Sequence, residues 1–208
     1  MPLVYQQNIN ATTRIAVWHI TENEDFFLST VTVQREIRHW HKRLQHLAGR
    51  LLLKELYPEF PVEMILIADT KKPFLANEPF HFSISHCGDY AAAIVSKTHR
   101  AGVDVELLNT KIEQIQHKFI YEEELEMLNN QCSMPNIQCL TLYWSVKESV
   151  FKWWGRGEVD FKKDILLKSV TGSTEQGTVH CIFKNEFELD IHYLFLNNNF
   201  LTWVLTDR

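Results

Sequence analysis

Ala-Gly-Val-Asp-Val-Glu-Leu-Leu, residues 101–108, is the stretch around which the rest of the sequence is organised. Its β-branched residues predict a strand, in which Asp104 and Glu106 lie two residues apart and share one face. Two neighbouring carboxylates repel each other unless a cation neutralises them, and Mg²⁺ is a cation that carboxylates hold. The pattern also fits a solvated edge strand, so a metal site requires a further acid from elsewhere in the chain.

Composition bounds the class of protein. The 208 residues suffice for one large domain or two small halves, and 45% hydrophobic with 23% charged residues is typical of a soluble globular protein. The net charge of -5 excludes a general basic field, so we expect no nucleic-acid partner. The four cysteines lack C-x-x-C spacing, which argues against a structural zinc site and for a reducing compartment. With no signal-peptide pattern and no long apolar run, we expect no membrane association and a cytoplasmic location.

The first half is predicted to contain strands and one long helix. The strands are expected at residues 14–20, 62–68, 81–85 and 90–96, and the helix at Thr32–Tyr57. This helix is rich in basic residues, namely Arg35, Arg38, Lys42, Arg43, Arg50 and Lys54. They form either a solvated face or a phosphate-binding surface, and their excess over acids favours the second interpretation.

The second half repeats this order coarsely. Residues 111–130 indicate one helix or two short ones, with a solvated acidic run at Glu122–Glu126, and residues 137–155 indicate a second long helix. Four short strands then follow as a meander. The sequence therefore predicts an α+β protein of two similar halves, residues 1–101 and 102–208, each with a long helix packed on a mostly antiparallel sheet.

The second long helix offers the further acid. Glu148 and Lys152 are four residues apart and lie on one helical face. As a surface ion pair they would contribute only roughly 0.3–0.5 kcal/mol. Aromatic residues surround them at 144, 151, 153 and 154, which is more than a solvated face carries. We therefore expect this helix to direct its charges into a cleft.

Ser85 and His86 end a predicted strand, where ligand-binding groups are often found. Neighbours on one strand cannot form a nucleophile and its base, because a catalytic dyad requires a spatial geometry that adjacent strand residues do not provide. This pair is therefore not evidence for a hydrolase.

Three ordered motifs together resemble the phosphopantetheinyl transferase family, in particular its larger Sfp-type branch. They are Phe82–His86, Gly102–Glu106 and Trp144–Lys152, and they span roughly the middle third of the chain. The resemblance implies a monomer built as a pseudo-dimer, with its active site in the cleft between the halves. It also implies Mg²⁺-dependent transfer of the phosphopantetheine arm of coenzyme A to a serine of an apo carrier protein, of acyl, peptidyl or polyketide type, with release of adenosine 3',5'-bisphosphate.

The same resemblance implies roles for individual residues. Asp104, Glu106 and Glu148 would bind Mg²⁺, or Mn²⁺ in its place, together with the pyrophosphate. Lys152 would reach the pyrophosphate, and the serine proton would go to Glu148 or to a metal-bound water.

Further residues would bind coenzyme A. The resemblance places Lys72 near the adenine, Ser85 and His86 at the nucleotide phosphates, and Arg43 and Arg50 at positions where basic residues often contact phosphate. The alternative to an enzyme is a non-catalytic module of the same fold that binds coenzyme A or a carrier protein. The presence of all three acids and of Lys152 favours the enzyme.

Overall fold

The computed structural model describes residues 2–32, 36–131 and 134–207, apart from the side chains of residues 128, 129 and 131. The chain divides into two compact units, of which the first runs through Ala101 and includes Asp207, and the second is Gly102–Thr206. Both contain helices and antiparallel strands, so the α+β prediction is confirmed. The similarity of the two halves remains a prediction.

The first unit is built on a four-stranded antiparallel sheet in the order β1-β2-β6-β5 and a two-stranded ribbon, β3-β4. Its elements in chain order are β1 (Leu3–Asn10), β2 (Thr13–His19), α1 (Glu24–Leu28), α2 (Trp40–Leu56), a 3₁₀ turn (Val62–Met64), β3 (Leu66–Ile67), β4 (Pro73–Phe74), β5 (His81–Cys87) and β6 (Tyr90–Ser96).

Helix α2 packs closely against this sheet because small residues lie at the contact. Leu47 and Leu52 are fully buried in one core with Ala91 and Ala93 of β6. A Cβ atom at Gly49 would lie 2.6 Å from the Ile84 side chain, so glycine permits the close approach of helix and strand. The apolar residues of α2 and the alanines of β6 together form part of the first core.

Helix α2 begins later than predicted. His39 has an extended backbone, and its Nδ1 accepts from the Lys42 N–H, so the helix starts at Trp40 instead of Thr32. Arg38 therefore precedes the helix and pairs with Glu36, and Arg35 lies outside the described residues. The strand predicted at residues 62–68 was mostly wrong, because a 3₁₀ turn occupies its first half. Strand β1 and helix α1 were not predicted.

The second unit contains a five-stranded sheet in the order β7-β11-β10-β9-β8. Strands β8 to β11 form the predicted antiparallel meander, and the paired short helices are also confirmed. The elements are β7 (Arg100–Leu107, which begins in the first unit), α3 (Ile112–Ile115), a 3₁₀ turn (Gln116–Lys118), α4 (Glu122–Gln131), α5 (Asn136–Trp154), β8 (Ile165–Gly172), β9 (Gln176–Phe183), β10 (Phe187–Leu196) and β11 (Asn199–Thr206).

Helix α5 packs against the second sheet and approaches β7 at Gly102. A Cβ atom at this position would lie 2.2 Å from the Ser149 carbonyl oxygen, so any larger residue would push the helix away. The helix is capped after Trp154 by Gly155, whose φ of 66° is favourable for glycine and whose N–H donates to the Phe151 carbonyl. Gly102, two residues before Asp104, thus lets this carboxylate lie beside the helix.

Two expectations about charge and redox state require correction. Glu122, Glu123 and Glu126 of the acidic run are exposed, but Glu124 is buried because it pairs with the buried Lys147. Cys139 is disulfide-bonded, which the expectation of a reducing compartment did not foresee.

Cys87 and Cys181 are free thiols. Within the described ranges, no helix is both long and apolar enough to span a membrane.

Candidate active site

Four charged residues of the second unit come together where α5 faces β7. Asp104 and Glu106 are on the strand, and Glu148 and Lys152 are on the helix. Strand alternation gives the two acids a common side, and the four-residue helical spacing gives Glu148 and Lys152 a common face. The structure therefore combines two of the predicted motifs in one cluster.

Asp104 is the most buried member of this cluster, and α5 binds both of its oxygens. Lys152 Nζ donates to Oδ1 at 2.5 Å, and Ser145 Oγ donates to Oδ2 at 2.8 Å. The Asp104 side chain is 2% exposed and that of Lys152 is 25% exposed. The ion pair thus joins a buried acid to a lysine whose side chain is partly exposed.

Sequence reasoning missed Ser145. Its hydroxyl is buried and lies 2.9 Å from Thr202 Oγ1, which in turn lies 2.6 Å from Ser149 Oγ. These hydroxyl groups form a polar network behind Asp104 in an otherwise apolar helix–sheet contact. The available signal was a serine three residues before Glu148, on the same side of an apolar helix.

Glu106 is held by an indole. Trp144 Nε1 donates to Glu106 Oε1 at 3.0 Å. The Trp144 ring contacts the rings of Phe119 and Phe161, at centroid distances of 5.1 Å and 5.5 Å. By contrast, Trp153 and Trp154 pack on Phe183 and Phe187, so only part of the predicted aromatic surroundings faces the acids.

The charges in the cluster influence one another. Burial raises the pKa of Glu148 to about 7; Lys152 opposes this rise and Asp104 adds to it. Burial disfavours the charged form of Lys152, but Asp104, Glu148 and Glu106 outweigh it and raise its pKa above the usual value. The single positive charge of Lys152 therefore interacts with three carboxylates.

The donor set fits a hard divalent cation by its chemistry. Asp104, Glu106 and Glu148 supply carboxylate oxygens, the ligand type that Mg²⁺ prefers, and Lys152 alone leaves their charge undercompensated. In the part of the chain that the structure describes, no three His, Cys, Asp or Glu side chains are arranged to hold a metal ion as they stand. The metal ligands remain a prediction.

A cavity of about 190 Å³ borders the Trp144–Glu106 hydrogen bond. Ile112 and Ile115 of α3 line it, together with Thr141 of α5. Its surface is mainly apolar, so it could receive an apolar part of a ligand beside the charged cluster.

The remaining predicted site residues lie in the first unit. Burial, followed by repulsion from Arg100, lowers the pKa of Lys72 to about 8, and Glu78 opposes this effect. Ser85 is buried and His86 is exposed at consecutive positions of β5, so they face opposite sides of the sheet. The strand itself thus does not direct both side chains toward one ligand.

Protein groups contact both predicted arginines of α2. Arg43 pairs with Glu24 of α1 at 2.5 Å. Arg50 is only 6% exposed and donates from Nη1 to His46 Nδ1 at 3.0 Å. Their seven-residue separation gives them a common helical face. Their contact with coenzyme A stays a prediction.

Comparison with known proteins identifies similar sequences that cover about half of the chain. Residues 100–202, just under half of the 208, match the model of the 4'-phosphopantetheinyl transferase superfamily. Enterobactin synthase component D of Salmonella austin is 31% identical over 111 residues, covering 53% of this chain and 47% of the relative. The 4'-phosphopantetheinyl transferase gsp of Aneurinibacillus migulanus is 28% identical over 116 residues, covering 53% and 48%.

Enterobactin synthase component D of Escherichia coli strain K12 is 32% identical over 114 residues, covering 53% of this chain and 54% of the relative. The chain thus spans about half the length of the curated relatives that it matches.

Proposed function

We propose that the protein, whose residues 100–202 match the model of the 4'-phosphopantetheinyl transferase superfamily, transfers the phosphopantetheine arm of coenzyme A to a serine of an apo carrier protein. The observation that carries this proposal is the cluster of Asp104, Glu106, Glu148 and Lys152, all within the matched residues. The carrier is of acyl, peptidyl or polyketide type, and the enzyme acts as a monomer.

The proposed reaction sets clear demands on the site. The serine oxygen forms a bond to the phosphorus that bears the pantetheine arm, and the bond from this phosphorus to adenosine 3',5'-bisphosphate breaks. The serine loses its proton, and negative charge grows on the leaving phosphate. Catalysis therefore requires a proton acceptor, positive charge at the leaving group and a fixed in-line geometry.

Lys152 meets the second demand. Its ammonium is fixed by an ion pair with the buried Asp104, and its side chain is partly exposed. A cation held in place before the reaction stabilises charge as it develops on the leaving group. We assign Lys152 to the pyrophosphate.

The three carboxylates would, through a bound cation, add to the positive charge at the leaving group and supply the proton acceptor. Asp104, Glu106 and Glu148 would hold Mg²⁺, or Mn²⁺ in its place, and the bound ion would supply positive charge to the pyrophosphate. The serine proton goes to Glu148 or to a water molecule beside it. Glu148 lies in the same charged cluster as Lys152, the residue assigned to the leaving group, which supports Glu148 as the acceptor.

The first unit would supply contacts to coenzyme A. An approaching anion stabilises the charged form of a lysine whose pKa is lowered to about 8. This supports the assignment of Lys72 to the coenzyme. Ser85, His86, Arg43 and Arg50 are the further proposed contacts to the nucleotide. The basic side chains among them would offset the phosphate charge.

The proposal is tested by the second product. The purified protein is incubated with coenzyme A, Mg²⁺ and each of several apo carrier proteins, and adenosine 3',5'-bisphosphate is quantified by chromatography. We expect one molecule of product per carrier molecule modified, with the fastest carrier identifying the physiological class. Binding of coenzyme A without any product on the whole carrier panel would support the non-catalytic module instead.

A further inference from the structure

Lys147 is a wholly buried cation that the proposed reaction does not use. Its side chain is 0% exposed and that of Glu124 is 3% exposed. The ammonium lies within hydrogen-bond distance of both oxygens of Glu124, at 2.8 Å and 2.7 Å, and of three backbone carbonyls, and these acceptors share its three N–H donors. Those carbonyls belong to Phe119 at 2.7 Å, Phe161 at 2.9 Å and Ile165 at 2.8 Å. One side chain of α5 thus ties three other segments of the second unit together.

Glu124 completes this buried junction. Besides Lys147, its carboxylate accepts from the Tyr121 N–H and from the Leu167 N–H, each at 2.8 Å. A buried ion pair contributes little net stability compared with apolar residues of similar volume, because desolvation offsets the attraction. The junction therefore calls for an explanation in terms of geometry.

Two of the carbonyl acceptors belong to the residues that enclose Trp144. Lys147 binds the backbones of Phe119 and Phe161, and the rings of these residues contact the indole of Trp144. The indole N–H in turn binds Glu106 Oε1. A continuous series of contacts runs from the buried ammonium to a carboxylate of the site.

We propose that Lys147 is a positioning residue that fixes the direction of the Glu106 carboxylate through the aromatic clamp formed by Phe119, Trp144 and Phe161. The role of Glu106 as a metal ligand rests on the proposed function, whereas the clamp itself does not. Substitution of a residue that orients a metal ligand without binding the metal commonly changes metal affinity by about 10- to 100-fold.

The first experiment measures the clamp directly and needs neither metal nor carrier. Hydrogen exchange of the Trp144 indole N–H is followed by NMR in the wild type and in Lys147→Met. A double variant, Lys147→Met with Glu124→Met, removes both charges and keeps the test usable where the single variant does not fold. We expect exchange at least about 10-fold faster in the folded variant, because a hydrogen bond that loses its support opens more often.

A matched control separates positioning from general instability. Val179→Ala removes buried volume in the same core without touching the junction, and should leave Trp144 exchange unchanged at equal loss of thermal stability. Equal exchange in the folded double variant and the wild type would overturn the proposal. If Val179→Ala accelerated Trp144 exchange as much as the Lys147 variants do, the proposal would also be overturned.

The second experiment measures Mn²⁺ affinity by electron paramagnetic resonance in the absence of turnover. We expect Lys147→Met to weaken Mn²⁺ binding about 10-fold or more, and to have no further effect in a Trp144→Phe background, since the indole transmits the effect. Additive losses in the two variants would overturn the proposed route. If the wild type binds no Mn²⁺, the metal part of the proposed function fails, and indole exchange decides the positioning proposal independently.

Discussion

Lys152 Nζ on α5 donates to Asp104 Oδ1 on β7 at 2.5 Å, joining a lysine with a partly exposed side chain to a buried aspartate. The same ammonium lies in the field of Glu106 and Glu148. One positive charge among three acids leaves negative charge that a further cation would compensate. This relationship underlies the proposed metal site and the proposed pyrophosphate contact.

Asp104→Asn should reduce transfer by at least about 100-fold, the order of loss when one preorganised charged group is removed from a site. The substitution keeps the size of the side chain and an acceptor for Ser145 but removes the negative charge. Initial rates of carrier modification at limiting Mg²⁺ provide the measurement. Asp190→Asn, at an exposed carboxylate of the same unit, is the control and should retain full activity. A folded Asp104→Asn enzyme with near wild-type rates would exclude Asp104 from the metal site.

Lys152→Met should lower kcat on the order of 100-fold, with a smaller change in the KM for coenzyme A. The lysine is proposed to act on charge that develops as the leaving group departs, so its loss affects the transition state more than the ground state. Steady-state kinetics with varied coenzyme A separate the two constants. Lys168→Met, at an exposed lysine of β8, is the control. An unchanged kcat with only a raised KM would contradict the assigned role.

The rate at which acetic anhydride labels the Lys72 amine should reach half of its maximum near pH 8, because burial and Arg100 lower the pKa of this lysine. Only the neutral amine reacts, so the pH profile of labelling, measured by peptide mass spectrometry, reports the pKa. The same residue in the denatured protein is the control and should follow the ordinary lysine value of about 10.4. Coenzyme A should move the folded profile to higher pH, since an anion favours the charged form. A profile that coenzyme A leaves unchanged would argue against contact with Lys72.

Reversal of Arg38 and Lys42 to Glu should raise the KM for an acidic carrier protein, and added salt should raise it in the wild type. Both side chains are exposed beside Trp40, which is 68% exposed, so they offer local positive charge on a protein of net charge -5. Exposed charges act over a Debye length of about 8 Å at physiological ionic strength.

Lys168→Glu, at an exposed lysine outside this surface, is the matched control for the reversal and should leave the KM unchanged. A KM that depends neither on salt nor on the reversal would assign Arg38 and Lys42 to an ordinary solvated face.

Local patterns in the sequence predicted the elements that local physics determines. Helix α5 was predicted from its apolar periodicity and its terminal glycine, and the meander of β8 to β11 from short runs separated by turn residues. The start of α2 was not predictable in this way, because histidine at position 39 is an uncommon N-cap.

Long-range contacts account for what sequence reasoning missed at the site. Glu124 reads as one acid of an exposed run, and its burial depends on Lys147, which is 23 residues away in the chain. The Trp144 bond to Glu106 and the Ser145 bond to Asp104 join residues that are 38 and 41 positions apart. Residue types and spacing identified the carboxylates, while their hydrogen-bond partners required the packed helix and sheet.

The most direct test of the central claim is the intact mass of an apo carrier protein after incubation with this protein, coenzyme A and Mg²⁺. We expect a gain equal to one phosphopantetheine group, absent when the acceptor serine of the carrier is replaced by alanine and strongly reduced with the Asp104→Asn enzyme. If a folded protein that still binds coenzyme A produced no mass gain on any acyl, peptidyl or polyketide carrier, the proposed transfer would be wrong.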